Sequence, residues 1–314
     1  MAPLRDRPIL IDIYDTPGTF DPERDSIFIF GSSNEERIQH IDAWRSHAGN
    51  TQFIHISQQE ISEFQYLVEQ TTKTVSLRSE RQLLDFWREI SAHTVYFDLT
   101  GFGHHVWAPL IRSGIAAGKR LMVTYVEPKE YRYTVTPTEG EIFDLSERIA
   151  GIAPIPGFAS LREVRDENVC FIPLLGFEGR RFAYIVETVQ PPGGKTVPII
   201  GLPGFRPEYP FHTYLCNRVP LMQEIGSWKN TRFASANDPF SLYYLLQDIA
   251  DENRGDLLKI APIGTKPHAL GAILFAITSP QKVELVYDHP IRRPQRTYGI
   301  SRLLVYHIST FLRA

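Results

Sequence analysis

The run "IAPIGTKPHALGAILFAIT" (260–278) carries the most suggestive chemistry in the chain. An apolar strand pattern breaks at Gly264, Thr265 and Lys266 and then resumes with helical spacing. A flexible backbone, a hydroxyl and an ammonium are thereby delivered to the start of a helix, where backbone N–H groups and the positive end of the dipole suit a phosphate or another anion. Pro267 fits the first helical turn, and His268 follows it. The stretch is not a Walker loop, because no G-x-x-x-x-G-K-[ST] occurs in the chain. A basic cluster, "HPIRRPQR" (289–296), could complete an anion site, since the planar forks of Arg292, Arg293 and Arg296 match phosphate oxygens.

The corresponding loop of the first half, "TGFGHH" (100–105), has Thr100 and Gly101 but histidines in place of the lysine. His104 and His105 are adjacent and on a helix would point about 100° apart, so a shared metal is not expected there. A neutral His104 would instead hydrogen-bond a ligand or a cap. Asp98, Glu127 and Asp288 fall at strand ends, where a carboxylate can serve as a general base or hold a ribose hydroxyl. "GSSNEER" places Ser32 and Ser33 at a strand-to-helix turn without a G-x-S-x-G frame, and no zinc-ligand, EF-hand or catalytic-cysteine motif is present. No particular cofactor is indicated.

These residues need a scaffold that gathers strand ends, and the sequence supplies one. Short β-branched or aromatic runs alternate with segments of helical period, which predicts an α/β fold with mainly parallel sheets. Strands are expected at 26–31, 51–57, 94–99 and 120–126, and again at 169–175, 196–202, 231–235, 257–263 and 282–288. In such sheets ligands bind beyond the carboxyl ends of the strands, which selects the loops 31–36, 100–105, 176–180 and 264–268. The first of these leads into "NEERIQHIDAWRSHA", with Asn34 as the expected N-cap.

The two halves read as copies. "RLMVTYVEP" lies opposite "KVELVYDHP", matching Tyr125 to Tyr287 and Pro128 to Pro290, each 162 apart. Earlier, Glu35 matches Glu178 and Arg37 matches Arg180, each 143 apart, so the second copy carries 162 − 143 = 19 extra residues. The insertion is placed at about 203–228, where prolines and aromatics suit an ordered loop packed beside the cleft or offered to a protein partner. Two Rossmann-like units follow, 1–155 and 156–314, joined by a crossover at 137–167, with loops 100–105 and 264–268 expected to border one cleft.

Composition narrows the function classes. The 314 residues carry 33 Lys+Arg against 36 Asp+Glu, a net charge of −3, so no extended nucleic-acid footprint is evident. Cys170 and Cys216 have no metal-ligand spacing and suit buried, reduced thiols. "MAPLRDRP" lacks the apolar core of a signal peptide, and no apolar stretch approaches the ~20 residues that span a bilayer. A cytoplasmic location without a membrane partner is expected.

The Gly264-Thr265-Lys266 turn, set between a strand and a helix in a Rossmann-like half, resembles the Gly-Thr-Lys motif of CRISPR-associated Rossmann-fold (CARF) sensor domains. That resemblance implies a nucleotide-type ligand and a regulatory, antiviral-defence role, with Gly264, Thr265 and Lys266 on the phosphate. Here Ile263 stands where the family pattern has another glycine, and the first half has no matching lysine. Two further readings accompany this one. The chain could be an enzyme acting on a nucleotide or phosphosugar, with Asp98 or Glu127 as base. It could also be a non-catalytic subunit that docks a partner through 203–228.

Overall fold

The β-branched and aromatic runs become strands because their side chains are buried on both faces, the condition for a parallel sheet covered by helices. The computed structural model describes residues 10–47, 50–68, 71–138, 140–161, 165–224 and 226–313. The chain divides into a first unit, Met1–Lys129 with Gly299–Ala314, and a second, Glu130–Tyr298.

The elements of the first half are β1 (Ile11–Tyr14), β2 (Ile27–Gly31), α1 (His40–His47), β3 (Gln52–Gln59), β4 (Glu63–Val68), β5 (Thr71–Ser76), α2 (Glu80–Glu89), β6 (Thr94–Asp98), α3 (His104–Ala116) and β7 (Arg120–Tyr131). Then come β8 (Tyr133–Thr138), β9 (Glu141–Phe143), β10 (Ser146–Ile149), β11 (Ala153–Pro154), β12 (Val169–Leu174), α4 (Gly179–Val189), β13 (Ile199–Gly201), α5 (Tyr209–Gln223) and β14 (Arg232–Ala234). The chain continues through α6 (Pro239–Glu252), β15 (Leu257–Pro262), α7 (Lys266–Thr278), β16 (Val283–Tyr287), β17 (Pro290–Arg292), β18 (Thr297–Tyr306) and α8 (Ile308–Phe311).

The first sheet has the order β1-β18-β7-β6-β2-β3-β4-β5. Its centre, β7-β6-β2-β3, is parallel, while β4 and β5 form an antiparallel edge and β1 pairs antiparallel with β18. Phe28, Tyr96, Trp44, Met122, Leu303 and Val305 close its core. The second sheet has the order β11-β16-β15-β12-β13-β14, parallel from β16 to β14. Phe171, Phe182, Ile185, Ile200, Leu221 and Val286 pack between it and α4 and α5, while α6 and α7 pack against each other. The fold is therefore α/β with two Rossmann-like units, and the blocks β6-α3-β7 and β15-α7-β16 share one strand order.

Three expectations are corrected. The boundary is not at residue 155, because β10 pairs with β17 and β11 with β16, which binds residues 146–154 to the second unit. The segment after β2 forms a 3-10 turn at Glu36–Ile38 before α1, without a side-chain cap from Asn34, as Glu35 turns inward to Arg37. The insertion 203–228, of which residue 225 lies outside the described residues, is mostly the helix α5 and not a loop, with Pro210 placed in its first turn. The stretch "MAPLRDRP" also lies outside the described residues.

Candidate functional site

In the second unit the strand order reverses direction between β12 and β15, the crevice where open α/β sheets bind ligands. Gly176 and Gly264 occupy the two turns that leave these strands. A Cβ on Gly176 would stand 2.9 Å from the Ile263 carbonyl oxygen, and one on Gly264 2.6 Å from that of Leu175. The glycines thus let the two backbones touch, which draws the starts of α4 and α7 to one place. Asn217 Nδ2 on α5 donates to the Gly176 carbonyl at 2.7 Å and fixes that turn.

Each residue of the Gly-Thr-Lys turn now has a position. Thr265 is the N-cap of α7: its hydroxyl accepts from the His268 N–H at 3.3 Å and donates to the Ala236 carbonyl at 2.8 Å. Its oxygen is therefore spent on the protein. Lys266 opens the helix in a half-buried position. His268 is fully buried and donates from Nε2 to the Ser235 carbonyl at 3.0 Å, and burial pushes its pKa down to about 4. A neutral imidazole tying α7 to the β14–α6 loop is the result, rather than a ligand contact.

Beside the turn lies a buried ionic network. Arg181, in the first turn of α4, donates from Nε and Nη2 to the two Asp288 oxygens, both at 2.7 Å, and from Nη1 to the Ile263 carbonyl at 3.0 Å. Its guanidinium also lies 5.9 Å from the Tyr287 ring centre. Burial alone would lower the Arg181 pKa, but the Asp288 carboxylate outweighs it and holds it above the ordinary value. Burial would likewise raise Asp288, yet the Arg181 charge keeps it below the usual carboxylate range. Glu178 receives Arg292 Nη1 at 3.3 Å and the Ser146 hydroxyl at 3.1 Å. Arg293 pairs with Asp144 at 2.7 Å. Arg292 and Arg293 are thus engaged by carboxylates of their own unit.

The first unit reverses between β2 and β6, and its crevice is filled. Gly101 packs on the Gly31 carbonyl, leaving no space for a Cβ. Gln59 closes over them, donating to the Gly101 carbonyl at 3.0 Å and accepting from the Gly103 N–H at 2.9 Å. Asp98 accepts from the Thr100 hydroxyl at 2.7 Å, the Gly101 N–H at 3.1 Å and the Thr124 hydroxyl at 3.3 Å. Thr100 in turn accepts from the Val126 N–H at 3.0 Å. Glu127 forms a two-pronged pair with Arg302 at 3.0 and 3.1 Å. His104 is buried at the start of α3 with its ring near Trp107. All of these groups bind protein, which argues against either carboxylate as a base.

Sequence reasoning overlooked the buried arginines. Arg37 in the first unit bonds Glu35 and the Val126 carbonyl and lies over Tyr125, as Arg181 lies over Tyr287 in the second. The counterpart of Arg37 is therefore Arg181, not the exposed Arg180, which pairs with Glu141. The signal was available in the matched tyrosines, Tyr125 within β7 and Tyr287 at the end of β16. Ser32 also meets the exposed His55, Oγ to Nε2 at 2.7 Å, a pair separated by a whole strand–helix unit in sequence. A cavity of about 180 Å³ is lined by Ala250, Asn253, Arg254, Asp256, Leu258 and Lys282. It lies at the amino end of β15, away from the Gly264 turn.

No protein-family model and no curated protein matches the chain. Among solved structures it is similar to a periplasmic ribose ABC transporter protein from Conexibacter woesei DSM 14684, at 11% identity, covering 82% of this chain and 69% of that one, with a TM-score of 0.26. A periplasmic solute-binding protein of an ABC transporter from Actinobacillus succinogenes 130z with bound D-allose aligns at 10% identity over 83% and 77% of the chains, TM-score 0.26. CobK precorrin-6A reductase aligns at 11% identity over 87% and 91%, TM-score 0.24. At these values the likenesses lend the chain neither a ligand nor a reaction.

Proposed function

We propose that the second unit binds an anionic, nucleotide-type ligand at the carboxyl ends of β12 and β15, and that the protein is a regulatory, CARF-like sensor in antiviral defence. The reading is carried by one observation: the glycine turns at the switch point start α4 and α7 side by side, with Lys266 in the first turn of α7. Lys266 supplies the charge, and the backbone of the Gly264 turn with the α7 dipole supplies the remaining attraction. Thr265 and His268 hold the turn. The Arg181–Asp288 pair fixes the floor beneath it, and neutralises itself in doing so.

Binding rather than catalysis is proposed because Asp98 and Glu127 are fully engaged by protein donors. Titration calorimetry with mono-, di- and cyclic oligonucleotides tests the reading. Lys266→Ala should weaken binding by about 1.5–3 kcal/mol, or about 10- to 150-fold, the worth of a hydrogen bond to a charged group. Its melting temperature should match the wild type. Equal affinities for the two proteins would remove Lys266 from the site.

A further inference from the structure

Helix α5 carries large apolar side chains on its exposed side as well as its buried one. Thr213, Cys216, Asn217, Pro220 and Leu221 are buried on its inner face. Its outer face exposes Phe211 (75%), Tyr214 (46%), Leu215 (40%), Val219 (50%) and Met222 (61%). Those positions follow the 3–4 spacing of one helical stripe beside Arg218, and an exposed apolar stripe of this extent marks an interaction surface. Phe233 on the edge strand β14 extends the patch: it pairs in register with Ile200, whose side chain packs toward α4 and α5, and it is itself exposed.

We propose that this face is a self-association surface, on which α5 of one copy packs antiparallel against α5 of a second copy about a twofold axis. The stripe is complementary to itself when reversed. A twofold between Cys216 and Asn217 sets Phe211 against the partner copy's Met222 and Tyr214 against its Val219, each a large group against a smaller or more pliable one. Arg218 falls opposite Leu215, where its aliphatic stem can cover apolar surface. The exposed side chains offer on the order of 500–700 Å² per copy, near the ~800 Å² that each partner gives to a standard interface. This surface is independent of the strand-end site.

Sedimentation equilibrium of the full chain, with light scattering as a second measure, tests the proposal. Wild type should sediment at twice 35.9 kDa, with the dimer dominant at about 50 µM, as micromolar or tighter affinity requires. Val219→Glu and, separately, Met222→Lys should each sediment as monomers with unchanged circular dichroism and melting behaviour. A monomeric wild type at that concentration overturns the proposal, including the case in which the face serves a different protein. So does a dimer that survives both substitutions in folded protein.

Discussion

Replacing Asp288 by alanine should cost the second unit about 3 kcal/mol, the low end of the 3–5 kcal/mol that follows when one partner of a buried ion pair is removed. The low end applies because Arg181, whose side chain is 3% exposed, keeps two acceptors: the Ile263 carbonyl at 3.0 Å and Glu178 at 3.4 Å. What it loses is the fully buried carboxylate that receives two bonds at 2.7 Å. For a unit of this size the melting temperature should fall by about 6–12 °C. The double variant Arg181→Met with Asp288→Leu removes both charges and should recover most of the loss, since apolar replacements of a buried pair are often neutral. The effect also has a pH signature. Asp288 is held below the usual carboxylate range in the folded state, so the unfolded chain takes up the proton first as the solution is acidified. The advantage of wild type over Asp288→Ala should therefore be full at pH 7 and shrink as the pH falls below about 4. Urea unfolding of wild type, the single variants and the double variant, followed by circular dichroism, measures each term. A single-variant cost below about 1 kcal/mol, the range of an exposed pair, would refute the reasoning.

Gly264→Ala should destabilise the second unit by about 1–3 kcal/mol, because the new methyl meets backbone carbonyls that cannot rotate away; Gly18→Ala, with nothing within 4 Å, is the matched control in a thermal melt. Thr265→Ala should cost about 1 kcal/mol through loss of the α7 cap, whereas Thr265→Ser should retain most of it, as urea unfolding can show. His268 stays neutral in the fold down to about pH 4 but titrates near its ordinary value when unfolded, so stability should decline as pH falls from about 6.5 toward 4. His268→Gln should flatten that decline, and a pH series of melting temperatures with an unchanged slope would remove His268 as its source.

Apolar runs made the central strands legible, because strands buried on both faces carry β-branched and aromatic residues without alternation, as at "IFIF" and "VYF". The hairpin β4–β5 escaped, since the alternation in β4 covers only "EFQY", with Phe64 and Tyr66 buried, and β5, "TTKTVS", has Val75 as its one apolar residue. The helix α5 was read as a loop because its prolines, Pro210 and Pro220, look like breakers when their place in the turn is unknown. At the candidate site, the Gly-Thr-Lys turn was visible in sequence but the division of labour within it was not. Whether a threonine caps a helix or faces a ligand depends on which carbonyl stands nearby, here that of Ala236, 29 residues away. Arg181 and Asp288 are 107 residues apart, and no local pattern joins them.

The last long strand has a consequence for the order in which the polypeptide is made. β18 sits between β1 and β7 in the first sheet, yet all of residues 130–298 precede most of it in the chain. During synthesis the second unit can complete its hydrogen-bonded sheet while the first waits with a vacant slot between β1 and β7, and Leu303 and Val305 missing from its core. The earlier-made unit is thus the later to finish. A nascent chain halted before residue 300 leaves open strand edges of the kind that recruit chaperones or stray β-segments.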